Sequence, residues 1–377
     1  MHAASPERAA PSVRNSTRTA FGAAGRAADH GGRTAVAPRP AAGSPRDRFD
    51  VRGDNAAMPA RSLAVGVSAA AITILIWAAF IVIARAMAYR SLTPADIVAC
   101  RVAGAALVLL PWGAWLAARR RRDGARTWMG VSPLPGRLTV TLGLPGGIAY
   151  ALLVYAGFVH APAAHGAVLV PGMLPFFTAV WSVVLLHESL SRPRLAGLAL
   201  ILGGAALVGG ASLLAAVHGG LTWRGDLLFL AAAATWSLYT VLCRRHRVDA
   251  VDATVAVTVF AALVYLPTFA AAAAIGALVS HLAAAPWPEI AFQAAFQGLG
   301  SVVVAGITFM AMVQVFGPLR SVMLTALVPP LAALGAVVVL GEPLGWNLTA
   351  GLALVTLGIV VGVRGGAPPQ RSGPADR

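Results

Sequence analysis

Long apolar runs, separated by short polar segments, follow one another along most of the chain. The hydrocarbon core of a bilayer is about 30 Å thick, and a helix of about 20 apolar residues crosses it. Ten runs of roughly that length lie at about 63–88, 95–117, 138–159, 163–186, 195–216, 226–244, 252–278, 290–313, 319–340 and 346–363. We therefore predict an all-α integral membrane protein with ten transmembrane helices.

The composition supports a membrane protein. Of the 377 residues, 58% are hydrophobic and 11% are charged, and the mean hydropathy is +0.75. A soluble domain carries about 25% charged residues, so this chain is too apolar for one soluble core. The lipid bilayer is therefore its expected surroundings.

The two ends of the chain differ from the apolar part. Residues 1–60 are rich in Ala, Arg, Pro, Gly and Ser and contain no apolar run, so we expect a disordered tail. A second interpretation is that translation starts at Met58, and the sequence leaves both open. No signal peptide is expected, because the run that begins at 63 is too long for one. Residues 364–377 are expected to form a disordered cytoplasmic tail.

The net charge of +15 comes from arginine alone, because the chain contains no lysine. Outside the N-terminal tail, most arginines lie between apolar runs or at their ends, where the positive-inside bias explains them, and we expect no nucleic-acid partner. With the N-terminus inside, the cytoplasmic side holds Arg119–Arg122, Arg126, Arg137, Arg192, Arg194, Arg244, Arg245, Arg247, Arg320, Arg364, Arg371 and Arg377, and the other side holds Arg85, Arg90 and Arg224. We expect a multi-pass protein of the inner (plasma) membrane with both termini in the cytoplasm.

One stretch of the chain returns 154 residues later. "HESLSRPRLAGLAL" at 187–200 has the outline of "GEPLGWNLTAGLAL" at 341–354. A second alignment, at an offset of 156, matches "DIVACRVAGAALVLLP" at 96–111 to "DATVAVTVFAALVYLP" at 252–267. Such self-similarity indicates two copies of one structural unit.

The predicted units are residues 63–216 and 225–363, and each holds five helices. Because five is odd, the second unit enters the bilayer from the opposite face, and the two are inverted repeats. Inverted repeats permit two near-equivalent states, each open to one side of a shared site. The repeat therefore points to a transporter.

Four motifs resemble the drug/metabolite transporter superfamily, in particular its EamA-type ten-helix branch. They are "LIWAAFIVIARA" in the first apolar run, "LTPADIVACRVAGAAL" in the second, and the two corners "LPFFTAVWSVVLLHESLS" and "VPPLAALGAVVVLGEPLG". The resemblance covers about residues 63 to 363. It implies a secondary active transporter that exports a small metabolite, an amino acid or a drug-like compound, coupled to protons or by exchange.

The two copies differ at two positions of interest. His187 stands where the second copy has the more family-like Gly341, and Val257 stands where the first copy has Arg101. A charge-pairing role of Arg101 is therefore not symmetric.

Arg101 is the first candidate site residue. A charge inside a membrane helix costs at least about 2.5 kcal/mol on insertion scales, so it usually faces a polar cavity or a partner. One interpretation is a cation that holds a carboxylate or another anion on the substrate pathway. The other is structural, with the side chain extending to the outer interface and pairing with Asp96.

The two corner carboxylates, Glu188 and Glu342, also have two interpretations. Each can accept hydrogen bonds from backbone N–H groups at the start of the following helix, which is the structural role we favour. A proton-coupling role is the alternative, because burial favours the protonated form of a glutamate. Pro175 and Pro329 are expected to kink their helices, since each lacks a backbone N–H.

Aromatic and amide side chains within the runs are further candidates for binding an amphipathic organic molecule. Alternatively they are interfacial anchors or helix contacts. Gln297 stands out, because an amide deep in a membrane is costly unless it is hydrogen bonded. The candidates are Trp77, Tyr150, Tyr155, Trp181, Trp236, Tyr239, Gln293, Gln297 and Gln314.

Small residues and histidines carry weaker signals. "GIVVG" at 358–362 fits close helix packing, and a homodimer face remains open as an alternative. His160 and His165 flank a short loop that offers too few ligands for a metal, so we expect no metal site there.

Enzyme functions lack their usual motifs. "HESLS" has Ser191 where a zinc protease would have its second histidine, and a phosphate loop of the GxxxxGK[ST] type requires a lysine. We therefore expect no enzyme, no catalytic residues and no cofactor. A lipid-modifying membrane enzyme and a channel remain the alternatives to a transporter.

Overall fold

The computed structural model describes residues 60–88 and 90–364, and leaves undescribed the side chains of residues 60–62, 318, 319, 322, 363 and 364. The predicted tails, 1–60 and 364–377, lie outside the described residues except where each meets a helix, and so does the alternative start at Met58.

The described part of the chain is helical and holds no β-strand. We number the helical spans 1 to 10 in chain order: Ala60–Met87, Pro94–Arg122, Gly136–His160, Ala163–Leu186, Arg192–Ala216, Thr222–Arg245, Ala250–Ala274, Trp287–Gly317, Met323–Leu340 and Trp346–Arg364. Among the described helices, the first nine are long and apolar enough to cross a membrane, and span 10 is a shorter apolar helix. The prediction of an all-α membrane protein with ten helices is confirmed.

The ends of the spans follow from local sequence. Thr93 caps span 2 in a capping box with Asp96, whose side chain accepts a hydrogen bond from the Thr93 N–H at 2.9 Å. His187 and Gly341 end spans 4 and 9 in the left-handed region, with φ of 55° and 66°. The two corners therefore share one backbone conformation although only one of them has a glycine.

Five spans depart from regular α-helix, and in one of them, span 9, the helix breaks between Thr325 and Val328. Spans 3, 7 and 8 contain π-helical segments at Leu144–Ala149, Ala261–Tyr265 and Ala294–Val304. Span 4 is interrupted between Leu169 and Leu174.

The two prolines lie just after matching interruptions. Pro175 is the second residue of the helix Leu174–Leu186, and Pro329 is the second residue of Val328–Leu340, which follows a short break after Thr325. A proline is tolerated in a first helical turn because its missing N–H has no partner there. Both broken helices therefore restart at a proline.

The helices pack in equivalent pairs across the two repeats. Span 1 packs against spans 8 and 9, and span 6 packs against spans 3 and 4. Span 2 contacts span 8, and span 7, the equivalent of span 2 in the second repeat, contacts span 3. The first helix of each repeat is thus held by the other repeat, as expected for two inverted five-helix units.

Spans 5 and 10, the last helices of the two repeats, approach through glycines. A Cβ atom added to Gly204 would lie 2.5 Å from the carbonyl oxygen of Gly351, and one added to Gly358 would lie 2.6 Å from that of Gly197. Gly358 opens the "GIVVG" pattern, so this close approach occurs within one chain.

Candidate functional site

Arg101 lies inside the bundle, about 10 Å along span 2 from its start at Pro94. Its Nη1 donates to the backbone oxygen of Gln297 at 3.2 Å and to the hydroxyl of Ser301 at 3.3 Å. The guanidinium carbon lies 5.5 Å from the centre of the Phe80 ring, a cation–π contact. Arg101 therefore joins span 2 to the π-helical segment of span 8 and to span 1.

Asp96 does not pair with Arg101, contrary to the structural interpretation of that arginine. Its side chain accepts from the Thr93 N–H, from the Ser280 hydroxyl at 2.6 Å and from the His281 N–H at 2.9 Å. These hydrogen bonds hold the loop before span 8 over the start of span 2. The sequence could not show this, because the partners are almost 190 residues away.

Gln293 and Gln297, which lie one turn apart in span 8, are buried without side-chain hydrogen bonds among the described residues, and the backbone of Gln297 contacts Arg101. Gln293 and Gln297 are fully buried, and among the described residues none bonds the side-chain nitrogen or oxygen of either. A buried polar group left unpaired costs about 1–3 kcal/mol. Four polar groups left without a partner inside a membrane protein therefore indicate a place for water or a ligand.

Tyr155 belongs to the same cluster. Its ring packs edge-on against Phe80, with centres 5.9 Å apart, on the ring that also contacts Arg101. The buried hydroxyl lies within electrostatic reach of Arg101 but makes no hydrogen bond of normal geometry within the described part of the chain. We define the polar cluster as Arg101, Tyr155, Gln293, Gln297 and Ser301.

The predicted aromatic candidates form two groups. Trp236 contacts Tyr150 and Tyr239, with ring centres 4.7 Å and 5.2 Å away. Trp77 contacts Phe309 at 5.4 Å instead. Each tryptophan, at near-equivalent positions of the repeats, packs on an aromatic residue of the other repeat. Trp181 lies apart from both groups in span 4, where its indole N–H donates to the backbone of Ala234 at 3.0 Å.

The polar cluster has an apolar counterpart in the other half of the bundle. Arg101 meets Ser301 in the π-helical segment of span 8, while Val257 lies beside Gly147 in the π-helical segment of span 3. A Cβ atom on Gly147 would be 3.0 Å from the Val257 Cγ1. The Arg101–Ser301 and Val257–Gly147 contacts occupy equivalent positions in the two repeats. Only the contact between spans 2 and 8 is polar.

Glu342 is an inter-repeat contact. It forms an ion pair with Arg85 at 3.2 Å and accepts from the N–H groups of Ala163 and Ala164 at 3.1 Å and 3.3 Å. Our expectation that it would bind the following helix was wrong, because these N–H groups begin span 4 of the first repeat. The positive end of that helix adds to the attraction.

Glu188 makes the matching contact on the opposite face. Its carboxylate pairs with Arg244 at the end of span 6, and the Nη1 of Arg244 also donates to the Ser182 hydroxyl at 3.2 Å. Ser191 is the N-cap residue of the following helix, but its side chain does not accept a hydrogen bond from the first turn of that helix. Both corner carboxylates therefore bind arginines of the other repeat rather than the helix that follows.

Some polar contacts were not foreseen from the sequence. The Nδ1 of His165 lies 2.9 Å from a carboxylate oxygen of Asp226, and the Thr73 and Thr308 hydroxyls share a hydrogen bond of 2.7 Å. Ser301 could have been found, because it follows Gln293 and Gln297 at intervals of four residues, which places all three on one helical face.

The fold and the repeated halves define a multi-pass membrane protein. The sequence model of the EamA-like transporter family matches residues 64–210 and again residues 223–364. The chain belongs to the EamA-like transporter family. The resemblance to that family, noted from the four motifs, is thereby confirmed.

No curated protein matches the chain. A solved structure titled "Crystal structure of protein" is similar over 80% of this chain and 96% of its own, at 21% identity and a TM-score of 0.48.

Proposed function

We propose that this chain is a secondary active transporter that exports a small organic molecule by alternating access. Membership of a transporter family and the two inverted repeats support this proposal. The observation that supports a binding site is the polar cluster, in which the half-buried Arg101 bonds to the backbone of Gln297, whose own buried amide lacks a hydrogen-bond partner among the described residues. Such groups are retained in a membrane when they serve a substrate pathway.

The chemistry of the cluster favours an amphipathic substrate with a carboxylate or another anionic group. Arg101 supplies the cation, and Gln293 and Gln297 supply donors and acceptors that can fix an orientation. The rings of Trp77, Tyr150 and Trp236 offer flat apolar faces for the remainder of such a molecule.

The two corner ion pairs suggest how each face opens and closes. Arg85–Glu342 and Arg244–Glu188 lie on opposite faces, and each joins the two repeats. Opening one face separates the repeats there, so its ion pair has to break while the other holds. The Arg85–Glu342 side chains are 16% and 15% exposed, and those of Arg244–Glu188 are 48% and 33% exposed.

The orientation and coupling belong to the same proposal. The arginine-rich face, which holds Arg119–Arg122 and Arg244, lies in the cytoplasm, and the membrane is the inner (plasma) membrane. Both termini are then cytoplasmic. Outward movement is driven by proton entry or by exchange, since the chain has no phosphate loop to drive it with nucleotide.

The proposal is tested by mass spectrometry of spent medium and cell extracts. Cells make the intact protein, Arg101→Ala, Arg224→Ala as a matched control, or none of these. Arg224 lies over Trp223 in the first turn of span 6, outside the cluster. We expect a compound that accumulates outside only with the intact protein and the control. If no compound differs in the medium, and reconstituted vesicles with a proton gradient take up no anionic candidate, the proposal fails.

A further inference from the structure

A basic pocket opens on the arginine-rich face, away from the polar cluster. It lies where span 2 ends and span 3 begins, and it has a volume of about 540 Å³. The side chains of Arg121, Arg126 and Arg137 line it, together with Thr127 and Gly136. No carboxylate is among the residues that line it.

These three arginines have neither the acidic partner of Arg120 nor the aromatic partner of Arg119. Arg120 pairs with Asp252, and the guanidinium of Arg119 stacks on Trp115 at 3.9 Å from the ring centre. In contrast, no carboxylate among the described residues lies within ion-pair distance of Arg121, Arg126 or Arg137. An anion with several oxygen atoms would neutralise this pocket, because guanidinium groups bind such oxygens in pairs.

The pocket is held in shape by an ordered loop. The Nε of Arg121 donates to the Thr127 hydroxyl at 2.8 Å. Trp128 and Ser132 pair their backbones, which folds the loop back on itself. The start of span 3 adds its positive end, and its cap residue Pro135 offers no side-chain cap to the first N–H groups. The loop therefore holds Arg121 in place before any anion arrives.

The surroundings are those of a bilayer surface. Trp115 is 49% exposed next to Arg119, as expected of an interfacial anchor. Met129, at the tip of the loop, is 69% exposed and has a left-handed φ of 51°. An exposed methionine in the loop that follows Arg126 suits contact with lipid, and basic pockets between membrane helices suit lipid head groups.

We propose that the pocket of Arg121, Arg126 and Arg137 binds the phosphate of an anionic phospholipid in the leaflet at the arginine-rich face. The phosphate oxygens lie among the three guanidinium groups and the start of span 3. The acyl chains remain in the bilayer beside span 2. The site is separate from the transport pathway, so it does not depend on the substrate.

The proposal is tested on the full chain by native mass spectrometry with phosphatidylglycerol or phosphatidylcholine. Arg126→Gln/Arg137→Gln removes two cations of the pocket. Arg192→Gln/Arg245→Gln removes two exposed arginines of the same face outside it. We expect the intact protein and the control to retain one phosphatidylglycerol, and the pocket variant to bind it about tenfold or more weakly. Equal loss in both variants, or no preference for phosphatidylglycerol, would overturn the proposal.

Two additional measurements distinguish a lipid from a soluble anion and test the pocket if the double variant does not fold. Inorganic phosphate is compared with phosphatidylglycerol for its effect on the melting temperature of the intact protein. An equal rise with both would indicate a soluble ligand and would overturn the proposal that the ligand is a lipid. Thr127→Val keeps every charge but removes the hydrogen bond to Arg121, so it reports on the pocket if the double variant does not fold. Binding by Thr127→Val at least threefold weaker than by the intact protein supports the proposal, and unchanged binding contradicts it.

Discussion

Arg85 and Glu342, which belong to different repeats, form an ion pair of 3.2 Å where span 1 ends. Arg244 lies 159 residues after Arg85 and pairs with Glu188 on the opposite face. The same two residue types are thus used once on each side of the membrane. This arrangement ties the repeats together at both faces, and the proposed alternating access requires these two contacts to break in turn.

The two ion pairs should differ in their contribution to stability. Glu342→Gln removes a largely buried pair and weakens two bonds to the start of span 4, so we expect a loss of about 2 kcal/mol in the free energy of unfolding. Glu188→Gln removes a more exposed pair, and we expect a loss of less than about 1 kcal/mol. Denaturation of the purified protein in mixed micelles measures both. Equal losses would contradict the assigned environments.

The buried amides should matter more for transport than for folding. Gln297→Leu replaces a side chain that makes no hydrogen bond by an apolar one of similar size, so its stability should be unchanged or higher. We expect export of the substrate to fall at least about tenfold, since a ligand loses a polar partner. Export and thermal melting are measured together for the variant and for the intact protein. A variant that loses stability and keeps export would show that Gln297 is structural.

The close approach of spans 5 and 10 can be tested with adjacent glycines. Gly204→Ala places a Cβ atom 2.5 Å from the Gly351 oxygen, and we expect a loss of about 1–3 kcal/mol from overpacking. Gly203→Ala meets nothing within 4 Å, so we expect no loss and a gain of up to about 1 kcal/mol from helix propensity. The free energy of unfolding is measured for both variants. Equal effects would mean that spans 5 and 10 can separate without loss of stability.

His187 occupies a backbone conformation that suits glycine. Its φ is 55°, as at the matching Gly341, where the φ is 66°. A left-handed residue with a side chain costs about 1 kcal/mol, so His187→Gly should raise the free energy of unfolding by up to that amount. Ser189→Gly serves as the control for added flexibility. A loss of stability in His187→Gly would show that the imidazole makes a stabilising contact.

Much of the fold could be predicted from the sequence because it depends on local pattern. The length of the apolar runs gives the helices, and the offset between "HESLS" and "GEPLG" gives the repeats. The odd number of helices per repeat then fixes the inversion. None of these steps requires knowing which helix packs against which.

The site was less predictable because its contacts join distant parts of the chain. Arg101 binds the backbone of Gln297, and a backbone oxygen carries no signature in the sequence. Glu342 binds the start of span 4 rather than the next helix, because the repeats interlock. The π-helical segments that turn Ser301 toward Arg101 also have no clear sequence pattern. Residue types indicated candidates, and only the packing decided their partners.

Accessibility of the cluster from each side tests alternating access most directly. In a chain with Cys100 and Cys243 replaced by serine, Ser301→Cys is labelled by an impermeant maleimide from either side of sealed vesicles. Cysteines in place of Arg85 and Glu342, or of Arg244 and Glu188, are first joined by a short thiol crosslinker, which closes one face. We predict labelling from the opposite face only, in each case, and no transport. Labelling through the crosslinked face, or from neither face in the free protein, would contradict the account.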